Sequence, residues 1–375
     1  MSTYILITHT KWSEAPRIRH QTARLLVSAG HRVVYFERAC YPWQTTAPPW
    51  KEVETGITVV RSRRLIHHQL RIAPPLDWLN GHLVCSEISR RIREMGIDPE
   101  SPVINFAHDY YFLRKIFPRN RIVTIYHDDI EAQSKFAWMG HVTRSIRLTC
   151  GMSDDVFAVS TPLVERLKAW CNPKLLLPWV VRPYRAPHTD ISQRNILLHW
   201  GFIDVSIDSD RIRRLASHLA ATRPEWRIML VGPSQASSRR AAARRSQIVS
   251  QLNDLANVEI LGPQPLDELP LDRVLAALIP YRRMPTMDAI EMPNKLTQLL
   301  ACGLPILKSG MPAMVRQPFI CAIDDDQQFE SSLNLCVQQF NNWQPDIRAF
   351  LETHSGAARL KTLGVVAANS LMNPS

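Results

Sequence analysis

Apolar positions in this chain come in short runs, each closed by a polar or Gly/Pro turn and separated by stretches with helical spacing. The runs Tyr4 to Ile7, Arg32 to Glu37, Val103 to Phe106, Ile122 to Tyr126, Val156 to Val159 and Leu175 to Leu177 read as buried strands in the first half. In the second half the same reading covers Asn195 to His199, Arg227 to Val231, Asn257 to Leu261 and Ala276 to Pro280. Between them lie predicted helices such as Arg17 to Ala29, Trp78 to Met95, a helix opened by Ser160 and running through Trp170, and Asp208 to Ala221. Strand, helix, strand in repetition predicts an α/β fold with parallel sheets. The stretch 40–75 breaks the rhythm: it is rich in Pro, aromatics and Arg, with one clear strand, Ile57 to Val60. Within Leu65 to Leu79, apolar residues mix with His67, His68 and Arg71, which fits an interfacial membrane segment or an excursion packed on its own core.

The most informative unit lies near the C-terminal third. The run ending at Pro280-Tyr281 predicts a strand, followed by a polar loop with Arg282 and Arg283. Pro293 starts a helix in which Leu296, Leu299 and Leu300 repeat, Gly303 caps it, and Leu304 to Leu307 begins the next strand. Asn294, Lys295 and Gln298 then fall early in a helix at the C-terminal edge of a parallel sheet. That position suits a phosphate, and equally an ordinary crossover with a solvated lysine.

Length bounds the organisation. At 375 residues the chain exceeds one ordinary core and predicts two domains, 1–182 and 183–342, with a helical segment over 343–375 that crosses back to the first. The polar, Pro-bearing run Arg182 to Arg194 reads as the linker. Hydrophobic residues at 45% and charged residues at 21% are those of a soluble globular protein. No charged-then-apolar leader and no membrane-length apolar run is evident, and the expected location is cytoplasmic, with the inner membrane face as an option. Seven cysteines without Cys-x-x-Cys spacing predict reduced thiols and no zinc site. The net charge of +11 is uneven: residues 1–180 hold 24 Lys and Arg against 16 Asp and Glu. A basic first half attracts nucleic acid, an anionic membrane or a pyrophosphate-bearing substrate, or is simply a solvated Arg-rich surface.

Candidate chemistry clusters after strand ends, where open α/β sheets bind ligands. Ile122 to Tyr126 is followed by His127-Asp128-Asp129, and Val103 to Phe106 by Ala107-His108-Asp109-Tyr110. A carboxylate or imidazole there can take a proton from a hydroxyl. Asp129 is better placed to cap the helix starting at Ile130. The opening strand-helix-strand lacks G-x-G-x-x-G, which argues against a dinucleotide cofactor. After the first strand of the second half, Gly201 lets backbone approach a diphosphate closely.

The run Met292-Pro293-Asn294-Lys295-Leu296-Thr297-Gln298 through Gly303-Leu304-Pro305 resembles the donor-binding motif of GT-B glycosyltransferases. Strand-Gly, helix, strand-Gly-Pro, strand-Gly, Leu-Pro and strand-Pro-Tyr follow the same order over about residues 195–310. Two departures stand out: Gln298 replaces the usual ribose-binding Glu, and the Glu-x7-Glu motif is absent, which leaves Glu291 without that role. The Lys-Leu-x-Gln form with Gly-Leu-Pro resembles the xanthan-type glucuronosyltransferase branch. Pro178-Trp179-Val180-Val181 stands where family members often carry Asn-Gly-Val-Asp.

The resemblance implies a GT-B fold, two Rossmann-like domains facing across a cleft. It implies a transferase moving a sugar from a nucleotide diphosphate sugar, UDP-linked, to a hydroxyl of a glycan or lipid-linked acceptor in bacterial surface polysaccharide synthesis. Lys295, Gln298, Asn294, Gly201, Arg282 and Arg283 would bind the donor, Arg17, Arg19 and His108 would face the acceptor, and Asp128 and His127 would be catalytic. His127 stands where many retaining GT-B enzymes carry a donor-contacting His, whereas an Asp128 base implies inversion. No metal and no cofactor beyond the donor substrate are expected, because no His/Cys/carboxylate set has ligand spacing. Two other readings stay open: a nucleotide-sugar epimerase on the same fold, and a basic nucleic-acid-binding protein. The last has only a pI near 9.5 in its favour and no reader motif; nucleic acid is therefore not an expected partner.

Overall fold

The computed structural model describes the chain outside residues 15, 42, 45–47, 65, 67–72, 135–136, 189, 234–238 and 367–375, and outside the side chains of 239–245. It divides into two units, Met1–Pro178 with Gly356–Ser375, and Trp179–Ser355. The division falls at 178/179 where the linker composition pointed to 182/183.

The first unit is built on eight strands: β1 (Thr3–Ile7), β2 (Arg32–Phe36), β3 (Trp50–Glu54), β4 (Ile57–Val60), β5 (Val103–Asn105), β6 (Ile122–Tyr126), β7 (Asp155–Ala158) and β8 (Lys174–Leu175). Their order is β3-β4-β2-β1-β5-β6-β7-β8, and every pairing is parallel except β3 with β4. The helices are α1 (Ile18–Ser28), α2 (Pro74–Glu94), α3 (Leu113–Ile116), α4 (Ile130–Gln133), α5 (His141–Met152) and α6 (Thr161–Leu167). Ile5, Ile7, Val34, Val84, Ile88 and Val103 belong to one buried apolar cluster that joins α2 to the sheet. Each such side chain contributes about 1.5–3 kcal/mol on burial. The edge strand β3 has no apolar alternation: Lys51 and Glu52 are exposed, as edge strands that resist further pairing often are. The stretch Leu65 to Leu79, read as an interfacial segment or a packed excursion, lies in part, with His67, His68 and Arg71, outside the described residues; from Pro74 onward it is the start of α2.

The second unit has β9 (Ile196–Trp200), β10 (Arg227–Val231), β11 (Val258–Leu261), β12 (Val274–Pro280), β13 (Ile306–Ser309) and β14 (Ile320–Ala322). Their order is β11-β10-β9-β12-β13-β14, all parallel. Its helices are α7 (Ser209–Thr222), α8 (Arg239–Asn253), α9 (Asn294–Leu300), α10 (Gln327–Gln339) and α11 (Gln344–Thr353). Every residue of β12 is buried, as a strand covered on both faces requires, which is why it reads as an unbroken apolar run. A final helix, α12 (Gly356–Leu363), belongs to the first unit, where the His31 ring contacts Val366 O at 2.8 Å just beyond it. The return to the first unit thus begins at Gly356, and α11 stays with the second.

With the antiparallel edge strand β3 set aside, both strand orders reverse direction once. The reversal lies between β1 and β5 in the first sheet and between β9 and β12 in the second. A crevice opens at the carboxyl ends of strands on either side of such a point.

Candidate functional site

In the first unit, the carboxyl ends of β1, β5 and β6 carry His9, His108-Asp109 and His127-Asp128, and the start of α1 carries Arg17 and Arg19. Asp129 holds α4 in place: its Oδ1 accepts from the Ala132 amide at 3.0 Å, and it pairs with Arg166. That cap fixes the turn on which Asp128 sits. The side chains of His127, Asp128, Arg17, Arg19 and His108 line one cavity of about 370 Å³, so five of the expected residues converge there. His9, Arg38 and Arg64 line it too, although no motif marked them. The available signal was their position, since His9 follows β1 just as His127 follows β6.

Electrostatics in this cavity are set by burial. Arg19 is 7% exposed, and burial lowers its guanidinium to about 10, with nearby Asp128 opposing the shift. Arg19 Nη2 lies 3.7 Å from Asp128 Oδ2. Asp128 is 38% exposed on its side chain, yet the surrounding walls dehydrate it and raise its pKa; Arg19 only partly offsets this. Burial, then the charge of Arg19, keeps the His127 imidazole neutral, its pKa held well below the ordinary value. His127 Nε2 is 3.1 Å from Asp128 Oδ2 but lacks the alignment of a hydrogen bond. The result is a carboxylate of raised basicity beside a neutral imidazole, a pair suited to accepting a proton from a hydroxyl.

His9 Nε2 is hydrogen-bonded to Asp109 Oδ1, and the His9 and His108 rings are 5.9 Å apart. Among the described residues, His9, His108 and Asp109 form the one group close enough to hold a metal ion. Sequence spacing cannot reveal it, because His9 and Asp109 are separated by 100 positions. Arg17, Arg19, Arg38 and Arg64 in the same cavity repel a cation from that spot.

In the second unit, the crevice is made of backbone and one cation. Gly201 follows β9 with φ +148°, and Gly232 follows β10 so closely that a Cβ there would stand 1.7 Å from Gly201 O. Only glycine fits at 232, and the two turns expose main chain at the strand ends. Lys295, from the first turn of α9, reaches back to this turn: a Cβ on Gly201 would stand 2.5 Å from its Nζ. That ammonium lies 4.8 Å over the Tyr281 ring and, though buried, has no hydrogen-bond partner among the described residues. His199, fully buried in β9, contacts Leu278 O through Nδ1 at 3.1 Å. Burial and the Lys295 charge lower its pKa to about 3, so the ring is neutral, with one N–H for the two carbonyls that face it, Leu278 O at Nδ1 and Phe202 O at Nε2, the latter at 3.4 Å.

The other expected donor residues are distributed differently. Asn294 and Gln298 are half-buried on α9 with Lys295. Gly303 closes that helix with its amide on Leu300 O at 2.8 Å. Arg282 is turned onto the start of α7, where Nε donates to Ile207 O and Nη2 to Ser209 Oγ, both at 3.1 Å. Arg283 is 78% exposed, 3.9 Å from Asp288. The structure therefore brings Gly201 and Lys295 together and gives Arg282 a structural partner.

Two doubly wound parallel sheets, each with its crevice at the point of strand reversal, give the chain the GT-B fold. Solved structures bear this out over the full length. A UDP-forming α,α-trehalose-phosphate synthase from Burkholderia xenovorans superposes with a TM-score of 0.68 at 11% identity, covering 100% of both chains. A trehalose-6-phosphate structure from E. coli bound with UDP-2-fluoro glucose gives 0.67 at 10% identity, covering 96% of this chain and 98% of the other. Anabaena HepE in complex with UDP-glucose gives 0.66 at 13% identity, with 97% and 98% covered. No protein-family model matches the sequence, and no curated protein matches it either. Among the described residues no helix is long and apolar enough to cross a membrane.

Proposed function

We propose that the chain is a glycosyltransferase that takes a sugar from a UDP-linked donor and passes it to a hydroxyl of a glycan or lipid-linked acceptor, in the assembly of a surface polysaccharide. The observation that carries this reading is the buried Lys295 ammonium, without a partner among the described residues, against the Gly201 and Gly232 turns. A diphosphate supplies what that ammonium lacks, and the glycine turns let its oxygens approach main-chain N–H groups. Trehalose-phosphate synthase and HepE structures of the same fold are described with UDP-sugars, which supports a uridine donor.

In this reading the donor occupies the second unit and Lys295 stabilises the diphosphate as it leaves, without a metal ion. Gln298 bonds the ribose hydroxyls more weakly than a carboxylate does. In the first unit, Asp128 accepts the proton of the acceptor hydroxyl, and neutral His127 orients the reacting groups. Glucuronate as the transferred sugar rests on the Lys-Leu-x-Gln resemblance. Calorimetry of the full chain with UDP, UDP-glucose, UDP-glucuronate and the corresponding GDP compounds tests the donor; the expected result is uridine-selective binding. Absence of binding by every nucleoside diphosphate would sink the reading. Conversion of the donor sugar to its epimer, with no acceptor present, would transfer it to the epimerase alternative.

A further inference from the structure

The first-unit cavity carries more positive charge than the chemistry above uses. Four arginines, Arg17, Arg19, Arg38 and Arg64, share it with two carboxylates, Glu14 and Asp128. Arg38 pairs with Glu14, and Arg19 faces Asp128. Among the described residues no carboxylate pairs with Arg17 or Arg64, so two of the cavity's four guanidinium charges lack a carboxylate partner there. Two of these guanidiniums also bring buried donors without partners among the described residues: Arg19 Nε and Arg64 Nε. Arg19 is 93% buried by its 7% exposure, so solvent does not satisfy it. A buried charged donor left unpaired is costly, because it has given up water without gaining an acceptor.

We propose that this cavity is a phosphate site, and that the acceptor carries a phosphate group, as a monoester or in a diphosphate link. A neutral sugar leaves both excess charges uncompensated. A phosphate dianion balances them, and its oxygens accept from more than one guanidinium fork at once. The cavity, at about 370 Å³, is of the size that holds a small ligand. Asp128 sits on the same wall as Arg19, so a phosphate held by the arginines keeps the rest of the acceptor within reach of the base. Naming the ligand as the acceptor rests on the proposed transferase reading; the phosphate site itself rests on the arginines.

The test is calorimetry on the full chain with inorganic phosphate, hexose 6-phosphate, the unphosphorylated hexose and a short-chain prenyl diphosphate sugar, each with and without UDP. The expected result is that a phosphate-bearing probe binds at least tenfold tighter than the hexose and is not displaced by UDP. R19Q and R64Q should each weaken it at least tenfold while UDP affinity stays within twofold. Should R19Q fail to fold, R64Q and R17Q, the latter at an exposed position, carry the test. Tighter hexose 6-phosphate identifies a soluble monoester, and tighter prenyl diphosphate sugar a lipid-linked acceptor; either supports the site. Equal binding of hexose and its phosphate, indifference to the Arg substitutions, or displacement by UDP overturns it. Loss of UDP binding alone, with phosphate binding intact and Arg-dependent, instead overturns the transferase reading and leaves the phosphate site standing.

Discussion

The two units place their buried cations in opposite settings. In the second, Lys295 stands against main chain: two glycine turns, an aromatic face and a neutral histidine, with no acid paired to it among the described residues. In the first, Arg19 stands among acids and imidazoles on the loops that follow β1, β5 and β6. A site made of backbone has one geometry, fixed by the sheet, and suits a group that is the same in every turnover, such as a diphosphate. A site made of side chains can hold a proton in one place and release it in another, which is what acid–base chemistry needs. The comparison predicts that the second site fails when its backbone is disturbed and the first when its side chains are.

The largest expected effect comes from Gly232→Ala. The added Cβ meets Gly201 O at 1.7 Å, backbone against backbone, and no rotamer relieves it. We expect a loss of about 3 kcal/mol or more, seen as a fall of about 6–12 °C in the unfolding midpoint of the transition that involves the second unit. A wild-type midpoint would show that the two turns are not packed as described.

Asp128→Asn comes next and should act on rate alone. Turnover should fall about 100-fold, the scale of a lost general base, with donor affinity unchanged. Stability should not fall. The folded-state pKa of Asp128 is raised above its ordinary 3.8, so its contribution is fully present below that value and is lost as pH rises through the folded pKa. Asn removes a group that costs stability at neutral pH. A thermal midpoint below wild type, measured at pH 7, would mean that Asp128 is structural. Full turnover in Asp128→Asn with none in His127→Ala would reverse the two roles.

Much of this was legible in the sequence because parallel strands announce themselves. β10 after Arg227 and the apolar body of β12 show as uninterrupted apolar runs, β6 is broken only by Thr124, and the residues that follow each one are automatically at the ligand edge. The edge strand β3 was not legible, because its charges follow solvent exposure and carry no apolar period. Arg282 illustrates a second limit: the sequence gives its charge and loop, but its bonds to Ile207 and Ser209 depend on tertiary packing. The arginine cluster is a third. Arg17 and Arg19 share the start of α1, but Arg38 and Arg64 lie on separate stretches, and only the folded sheet joins all four in one cavity.

Lys295→Ala tests the isolated cation. Removing it should weaken UDP-sugar binding by about 1–3 kcal/mol, the scale of a charge-assisted hydrogen bond, and leave the fold intact because that ammonium makes no hydrogen bond among the described residues. Gln298→Ala should weaken binding less, since it removes a neutral amide. Wild-type affinity in both variants, measured by calorimetry, would remove the donor site from α9.

The last effect is one the two units share; it is small near neutral pH and accumulates in acid. His199 is fully buried with a folded-state pKa near 3 against an ordinary value of 6.5. Between those values the unfolded chain binds a proton that the folded chain does not. Stability therefore falls as pH drops below 6.5, with a slope approaching about 1.4 kcal/mol per pH unit for this one group, and levels off near pH 3. His127 in the first unit shifts in the same direction, so both units should weaken in acid. Chemical unfolding of the full chain at pH 7, 6, 5 and 4 measures the slope. His199→Asn offers a donor to Leu278 O and removes the titration, so it should flatten the acid limb of the second unit. Lys295→Ala should flatten it slightly, because the ammonium is the second cause of the His199 shift after burial. An unchanged slope in His199→Asn would assign the acid sensitivity to another group and remove the neutral imidazole from the description of the Lys295 niche.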